Sequence, residues 1–233
     1  MDKLVGYESG DSIARITMDD GKVNVLSSAM LGALNDALDR AERDGVVVVI
    51  SGRQGVFSAG FDLAVLRAGG PEATQMVRAG FELAERVLSF PTPVLIGCTG
   101  HAVAMGVFLL LSGDYRVGVT GSYKLTANEV AIGLTMPRTA VEICRQRLSP
   151  AHFNRATTLA EVFSPAEAVQ AGFLDRVVSE DAFVQSTEGI AVELARLDMV
   201  SHAATKQRTR ATALAAIHEA IETDSAADAA QVA

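Results

Sequence analysis

The sequence predicts an α/β protein that alternates strands and helices in its first half and is mainly helical afterwards. Wholly apolar runs at residues 46–50 and 94–98 are typical of strands that are covered on both faces. Amphipathic stretches with helical spacing follow these runs. Beyond residue 137, residues 176–178 form a short strand-like run within a sequence of helical character. These three observations together favour an α/β class.

The elements can be justified in chain order. Residues 2–19 predict a hairpin, because two short runs flank a turn signal at Gly10. The apolar positions 26, 30, 34 and 38 recur at helical spacing, Ser27 or Ser28 is placed to cap that helix, and Gly45 ends it. The glycines before Pro71 open a helix that runs to about residue 89. A short apolar helix is expected at 104–112, a strand at 114–119 and an amphipathic helix around 183–197.

We expect an α/β body over residues 1–135 and a helical part over residues 136–222. Residues 223–233 are polar and rich in alanine, which predicts a frayed or disordered tail.

Composition excludes several classes of function. The formal net charge of -8 disfavours nucleic-acid binding, which needs a basic face. No apolar run reaches the length of a membrane span, and the acidic start lacks a signal-peptide core, which predicts a cytoplasmic protein without membrane association. The two cysteines and four histidines lack metal-ligand spacing, so that no metal is expected. Cys98 and Cys144 are interpreted as small buried hydrophobic residues.

Two glycine-containing segments follow apolar strands and are candidates for ligand contact. Residues 57–63 contain a glycine turn that lets backbone approach a ligand. Residues 100–108 begin a helix with small residues, where free N–H groups favour negative charge. N–H groups from two such loops can form an oxyanion hole. Taken alone, the first segment is a weak signal, since most glycine turns merely connect elements, and the second is better explained by tight helix packing.

Glu129 is the candidate general base. Its apolar neighbours favour a raised pKa, which suits proton transfer near neutral pH. The alternative is structural, because Thr126 and Glu129 have the spacing of a capping box.

Four segments resemble the crotonase superfamily, also called the enoyl-CoA hydratase/isomerase family. Residues 57–63 resemble its F-x-A-G-x-D-L loop, and residues 100–108 its second loop and helix. Residues 128–133 resemble its P/N-E-x-x-x-G segment, and residues 163–178 a later A-x-x-x-G-L-V-D-x-V-V stretch. Each motif is loose, but four in the right order are a specific signal.

The resemblance implies a crotonase-like fold of repeated β-β-α units and carboxy-terminal helices that join subunits into a homotrimer or hexamer. It implies an acyl-CoA thioester as substrate, with coenzyme A as part of that substrate and no separate cofactor. The N–H groups that bind the thioester oxygen are carried over to Phe61 and Met105. The remaining positions matching the family's substrate-binding segments are Lys22, Val23, Asn24, Ala59, Gly60, Asp62, Leu63, Gly106 and Phe108. Asp62 and Asp114 match positions that look structural in the family.

One departure from the family favours a particular reaction. Hydratases carry a glutamate three residues after the second N–H donor, where this chain has Phe108. A phenylalanine cannot orient water or transfer a proton, whereas shifting a double bond from C3 to C2 needs one base. The Asn128-Glu129 pair resembles the family's isomerases, so an enoyl-CoA isomerase with Glu129 as acid and base is predicted. The alternatives are an enoyl-CoA hydratase, a thioester hydrolase on the same fold, and a non-catalytic acyl-CoA-binding homologue.

The carboxy-terminal sequence lacks the aromatic, lysine-rich end found in many members. Lys206 and Arg210 are four residues apart on a predicted helix, and we interpret them as a solvated helix face in preference to a site for the CoA 3′-phosphate. Lys22 is a better candidate for contact with CoA.

Overall fold

The computed structural model describes the backbone of residues 4–232 and the side chains of residues 4–225. The strands are β1 (Val5–Gly10), β2 (Ile13–Met18), β3 (Val25–Leu26), β4 (Val47–Ser51), β5 (Gly55–Ser58), β6 (Gly60–Phe61), β7 (Val94–Cys98), β8 (Gly100–Val103), β9 (Tyr115–Val119), β10 (Leu125–Thr126) and β11 (Arg176–Val178). The helices are α1 (Ser28–Asp44), α2 (Leu63–Ala68), α3 (Gly70–Ser89), α4 (Met105–Ser112), α5 (Arg138–Arg145), α6 (Pro150–Thr158), α7 (Pro165–Ala171), α8 (Glu180–Leu194) and α9 (Met199–Val232).

The largest sheet has the strand order β1-β2-β4-β7-β9-β11. β1 and β2 form the predicted antiparallel hairpin, and the other neighbours in this sheet are parallel. Parallel sheets are usually covered on both faces, which explains the apolar character of β4 and β7. The main core, with α1 and α3, lies on one face, and a smaller cluster that includes Val47, Leu95 and Ala191 of α8 lies on the other.

A repeat of two strands and one helix builds the body. In each repeat the first strand joins the large sheet, where β4, β7 and β9 are neighbours. The second strand joins a small parallel sheet of order β10-β8-β5. The helices α3, α4 and α5 follow these strand pairs. The predicted fold of repeated β-β-α units is therefore present.

Several elements differ from the sequence predictions, among them the short strands β5, β8 and β10 and the helix α2. α2 begins at Leu63 and is capped by Asp62, whose carboxylate accepts a hydrogen bond from the Ala64 N–H at 2.8 Å. Where the sequence predicts a frayed or disordered tail over residues 223–233, the backbone of α9 is helical as far as Val232. Ala233 lies outside the described residues.

α9 packs along the body of the protein. It lies against α3 and α5, and its residues Ile217 and Ile221 belong to the main core. The division of the chain at residue 135 into an α/β body and a helical part stays a prediction. One strand beyond that point, β11, belongs to the large sheet and lies beside β9. Over residues 4–232, no helix combines the length and apolarity that crossing a bilayer requires.

Candidate active site

The glycine turn at Gly60 and the start of α4 lie against each other. Gly60 has a φ of 90°, which a side chain would strain. A Cβ atom on Gly60 would lie 3.2 Å from the Met105 nitrogen and 3.0 Å from the Ala104 Cβ. Glycine at this position therefore permits Phe61 and Met105, the two predicted N–H donors, to come close together.

Met105 is the first residue of α4. Its N–H has no acceptor within the helix, because the first turn of a helix leaves its N–H groups free. Ala104 before it has a positive φ of 50°, so that the chain turns sharply from β8 into the helix. Gly106 is tightly packed, since a Cβ there would lie 2.5 Å from the Ser58 carbonyl oxygen. This helix start can hold a developing negative charge.

Ser58 and Asn24 fix the glycine turn from behind. The buried Ser58 hydroxyl donates to the Asn24 carbonyl at 2.7 Å and accepts from the Gly60 N–H at 3.1 Å. The fully buried Asn24 side chain donates to the carbonyls of Met18 and Phe57. The side-chain amide of Asn24 is thus committed to internal hydrogen bonds, and the contact of this residue with substrate stays a prediction. The role of Ser58 was missed, because a serine in a turn has no local signal for it.

Glu129 does not form the capping box that its spacing with Thr126 allowed. The Thr126 hydroxyl instead contacts the Ala160 carbonyl at 3.5 Å, and the 3-10 turn at Val130–Ile132 follows Glu129 without a side-chain cap. Glu129 is 7% exposed, and its Oε2 has no hydrogen-bond partner among the described residues. Burial raises the pKa of this carboxyl to about 7. Such a group can accept and return a proton near neutral pH.

Hydrogen bonding connects the Glu129 loop to the start of α4. The Thr126 carbonyl, three residues before Glu129, accepts from the Ala104 N–H at 3.0 Å. Asn128 Oδ1 is also buried without a partner in the described structure. Cys144 of α5 is near enough for the Glu129 charge to act with burial in raising the pKa of its thiol. The segment 126–129 thus carries two unpaired oxygens beside the strand that leads into α4.

Phe108 lies in the core. It is 1% exposed, and its ring centroid is 6.2 Å from that of Phe81. No acid stands at this position, as the sequence indicates. In the present conformation the Phe108 ring faces other side chains and not an open cavity.

An open groove contains several of the predicted substrate-binding residues. Lys22, Val23 and Ala59 line it together with Arg53 and His101, and its volume is about 450 Å³. Leu63 is about half exposed, and Asp62 caps α2, which agrees with the structural role expected for that aspartate.

The interpretation of Lys206 and Arg210 as a solvated face is wrong. Both side chains are largely buried, and both pair with Asp114, at 2.7 Å and 2.8 Å respectively. Asp114 also accepts a hydrogen bond from the Val94 N–H. Asp114 lies far from Lys206 and Arg210 in the sequence, and therefore the helical spacing of the two cations alone could not reveal this pairing.

The strand pairs and the contact between the glycine turn and α4 define the protein as one of the crotonase fold class. A family model described as enoyl-CoA hydratase/isomerase matches residues 8–230. The chain belongs to the enoyl-CoA hydratase/isomerase family, which confirms the resemblance in its motifs.

Individual relatives carry more than one name. The human mitochondrial enoyl-CoA delta isomerase 1 is 31% identical over 189 residues, which are 79% of this chain and 62% of that relative. The chain thus spans less than two thirds of that relative's length. A structure from Mycobacterium tuberculosis described as an enoyl-CoA isomerase has 49% identity and a TM-score of 0.93, covering 97% of this chain and 99% of that one, and a second structure of the same protein is described as a probable enoyl-CoA hydratase. An enoyl-CoA hydratase structure from Mycobacterium marinum has 48% identity and a TM-score of 0.92, covering 96% and 98%.

Proposed function

We propose that this protein is an enzyme that moves the double bond of an enoyl-CoA from C3 to C2. The observation that carries the proposal is Glu129, a buried carboxyl with an unpaired oxygen and a pKa near neutrality. The position at which hydratases of the family carry a further glutamate holds Phe108, in the core. A single glutamate that acts as both base and acid is enough for isomerisation, whereas hydratases of the family use two glutamates. Relatives with isomerase names add support.

The proposed mechanism uses backbone donors and one carboxylate. The N–H groups of Phe61 and Met105 bind the thioester oxygen. The Glu129 carboxylate removes a proton from C2, and the electrons move into a dienolate whose oxygen the two N–H groups stabilise. Protonated Glu129 then gives the proton to C4, which leaves the double bond conjugated between C2 and C3. The protein returns to its starting protonation state, and no water is consumed.

Substrate and assembly are proposed from the same family resemblance. The acyl-CoA nucleotide would lie in the groove lined by Lys22 and Arg53, whose charges suit phosphate groups. A homotrimer or hexamer, a cytoplasmic location and the absence of a metal remain predictions.

The test is to incubate the pure protein with 3-hexenoyl-CoA and to measure product mass and thioester absorbance. A conjugated product of unchanged mass supports isomerisation. A product heavier by one water, from 3-hexenoyl-CoA or from 2-hexenoyl-CoA in a parallel incubation, supports the hydratase alternative, to which the name of the Mycobacterium marinum structure also points. Release of free thiol would indicate a thioester hydrolase, and failure to change either substrate would favour a non-catalytic acyl-CoA binder.

A further inference from the structure

Three phenylalanine rings form a row beside the candidate site. Phe61 packs edge to face on Phe81 with centroids 6.1 Å apart, and Phe81 lies 6.2 Å from Phe108. Phe61 belongs to the glycine turn, and Phe108 lies one turn along α4 from Met105. The two ends of the row thus adjoin the two proposed oxygen-binding groups. An acyl chain attached to a thioester between those groups would meet this row.

The three rings are closely packed, and their surroundings leave little space for them to move. Phe81 and Phe108 are 2% and 1% exposed. Phe61 fits because α3 has a glycine at position 80, where a Cβ would lie 2.4 Å from the Phe61 ring. A Cβ on Gly80 would also lie 3.7 Å from the methyl group of Met105. Close packing of this kind resists the insertion of extra methylene groups.

Behind the row lies a narrow crevice between α3, α5 and α9. Phe81 lines it together with Val77, Thr139 and Ile221, and its volume is about 10 Å³. This is no more than the space that one water needs.

Polar contacts hold the outer side of this crevice together. Arg78 of α3 pairs with Glu222 of α9 at 2.6 Å, and the Thr139 hydroxyl donates to Asp224 at 3.0 Å. A long acyl chain could enter the crevice if the Phe81 ring did not stand in the way.

We propose that Phe81 sets the acyl-chain length that this protein accepts and restricts it to short chains. The Phe81 ring separates the thioester end of the site from the crevice. A chain that ends before the ring leaves the Phe81 side chain in place, whereas a longer chain must displace a fully packed aromatic side chain. The inference rests on the proposed function for the position of the thioester, and it specifies the substrate class.

The experiment compares two substrates in three proteins. We would measure kcat/KM for 3-hexenoyl-CoA and 3-dodecenoyl-CoA with the wild type, Phe81→Ala and Phe90→Ala. Phe90 is an equally buried phenylalanine that directly follows the last residue of α3, so its removal controls for general loss of packing. The wild type should prefer the short substrate by about tenfold or more, since a closely packed core must rearrange to admit the extra methylene groups of the long one. Phe81→Ala should reduce that preference by about tenfold, and Phe90→Ala should leave it unchanged.

A binding measurement separates this inference from the proposed reaction. Calorimetry with saturated hexanoyl-CoA and dodecanoyl-CoA reports chain-length preference without any turnover. The same change of preference in binding, with no turnover of any enoyl-CoA, would support the role of Phe81 and contradict the proposed reaction. Turnover with the same length preference in the wild type and Phe81→Ala would overturn the role of Phe81 and leave the reaction standing.

Two further outcomes also decide the inference. A wild type that already prefers the long chain would overturn it, and so would failure to bind either saturated acyl-CoA. If Phe81→Ala does not fold, Phe81→Leu keeps most of the packing and should move the preference in the same direction by a smaller factor.

Discussion

At the scale of single residues, Glu129 decides the proposed chemistry. Replacement by glutamine keeps the shape of the side chain and removes the proton-accepting oxygen. We expect Glu129→Gln to lower kcat by about 10²–10⁴-fold, the usual contribution of a general base. Stability should not fall, because the variant no longer buries an ionisable group.

The matched control for Glu129 is Glu142→Gln. Glu142 is a partly exposed carboxylate on α5 that pairs with Arg145, and it should keep full activity. Turnover of 3-hexenoyl-CoA and thermal unfolding would be measured for both variants. Undiminished turnover in Glu129→Gln would remove Glu129 from the mechanism.

The buried carboxyl of Glu129 also predicts a dependence of stability on pH. Burial raises its pKa from 4.5 to about 7 in the folded protein. Between these values the folded state keeps a proton that the unfolded chain has released, and therefore the free energy of unfolding falls as the pH rises through this window. The fall attributable to Glu129 should be no more than about 3 kcal/mol. The base form is needed for catalysis, so kcat/KM should rise over the same range.

Denaturant unfolding at about pH 5 and about pH 8 would measure this fall, since stability between these values reflects groups that titrate there. The difference in unfolding free energy between Glu129→Gln and the wild type should grow in favour of glutamine as the pH rises. A constant difference would show that the carboxyl has its ordinary pKa.

At the scale of elements, the contact between the Gly60 turn and α4 brings the site together. Gly60→Ala would place a methyl group 3.0 Å from the Val103 carbonyl oxygen and would strain a φ of 90°. We expect a loss of stability of about 1–3 kcal/mol and a loss of kcat/KM of about 100-fold, because small displacements of positioned groups cost that much.

Gly45→Ala is a suitable control for Gly60→Ala. Gly45 also has a positive φ, of 63°, but a Cβ there would have no neighbour within 4 Å. It ends α1, so this variant measures backbone strain without the contact to α4. Equal loss of activity in the two variants would contradict a special role for the Gly60 contact.

The elements also show what a sequence can and cannot predict. β7 has the expected bounds, because a buried strand must be apolar along its whole length. β11 also has the expected bounds, although Arg176 is exposed and its two valines are half-buried. α2 has six residues, too few to show helical periodicity. The polar character of the end of α9 predicts fraying or disorder, although alanine favours helix. The contact that holds this end lies far away in the sequence and has no local signal: the Asp224 carboxylate accepts hydrogen bonds from the first N–H groups of α5.

The residues of the candidate site come from two kinds of sequence signal. Phe61 and Met105 follow from the resemblance to the family's motifs, whereas the apolar neighbours of Glu129 are a local feature. The roles of all three stay predictions. Local spacing could not choose between a capping box and an unpaired base at Glu129. That choice depended on tertiary packing, which directs the Thr126 hydroxyl to Ala160.

At the scale of the whole molecule, one buried ion cluster ties α9 to the large sheet. Asp114 precedes β9, accepts from the first N–H of β7 and holds both Lys206 and Arg210 of α9. Asp114→Asn would leave two largely buried cations without their carboxylate. Breaking a buried pair from one side typically costs about 3–5 kcal/mol.

We therefore expect Asp114→Asn to lower the free energy of unfolding by about 3 kcal/mol or more. Lys206→Met should cost less, because Asp114 keeps Arg210 and the Val94 N–H, and the methionine fills the same space. Glu193→Gln, which removes a well-exposed pair with Arg196, should change stability by less than about 1 kcal/mol. Urea unfolding monitored by circular dichroism gives all three values. If Lys206→Met proved as damaging as Asp114→Asn, the lysine and not the shared carboxylate would be what holds this part of α9 against the large sheet.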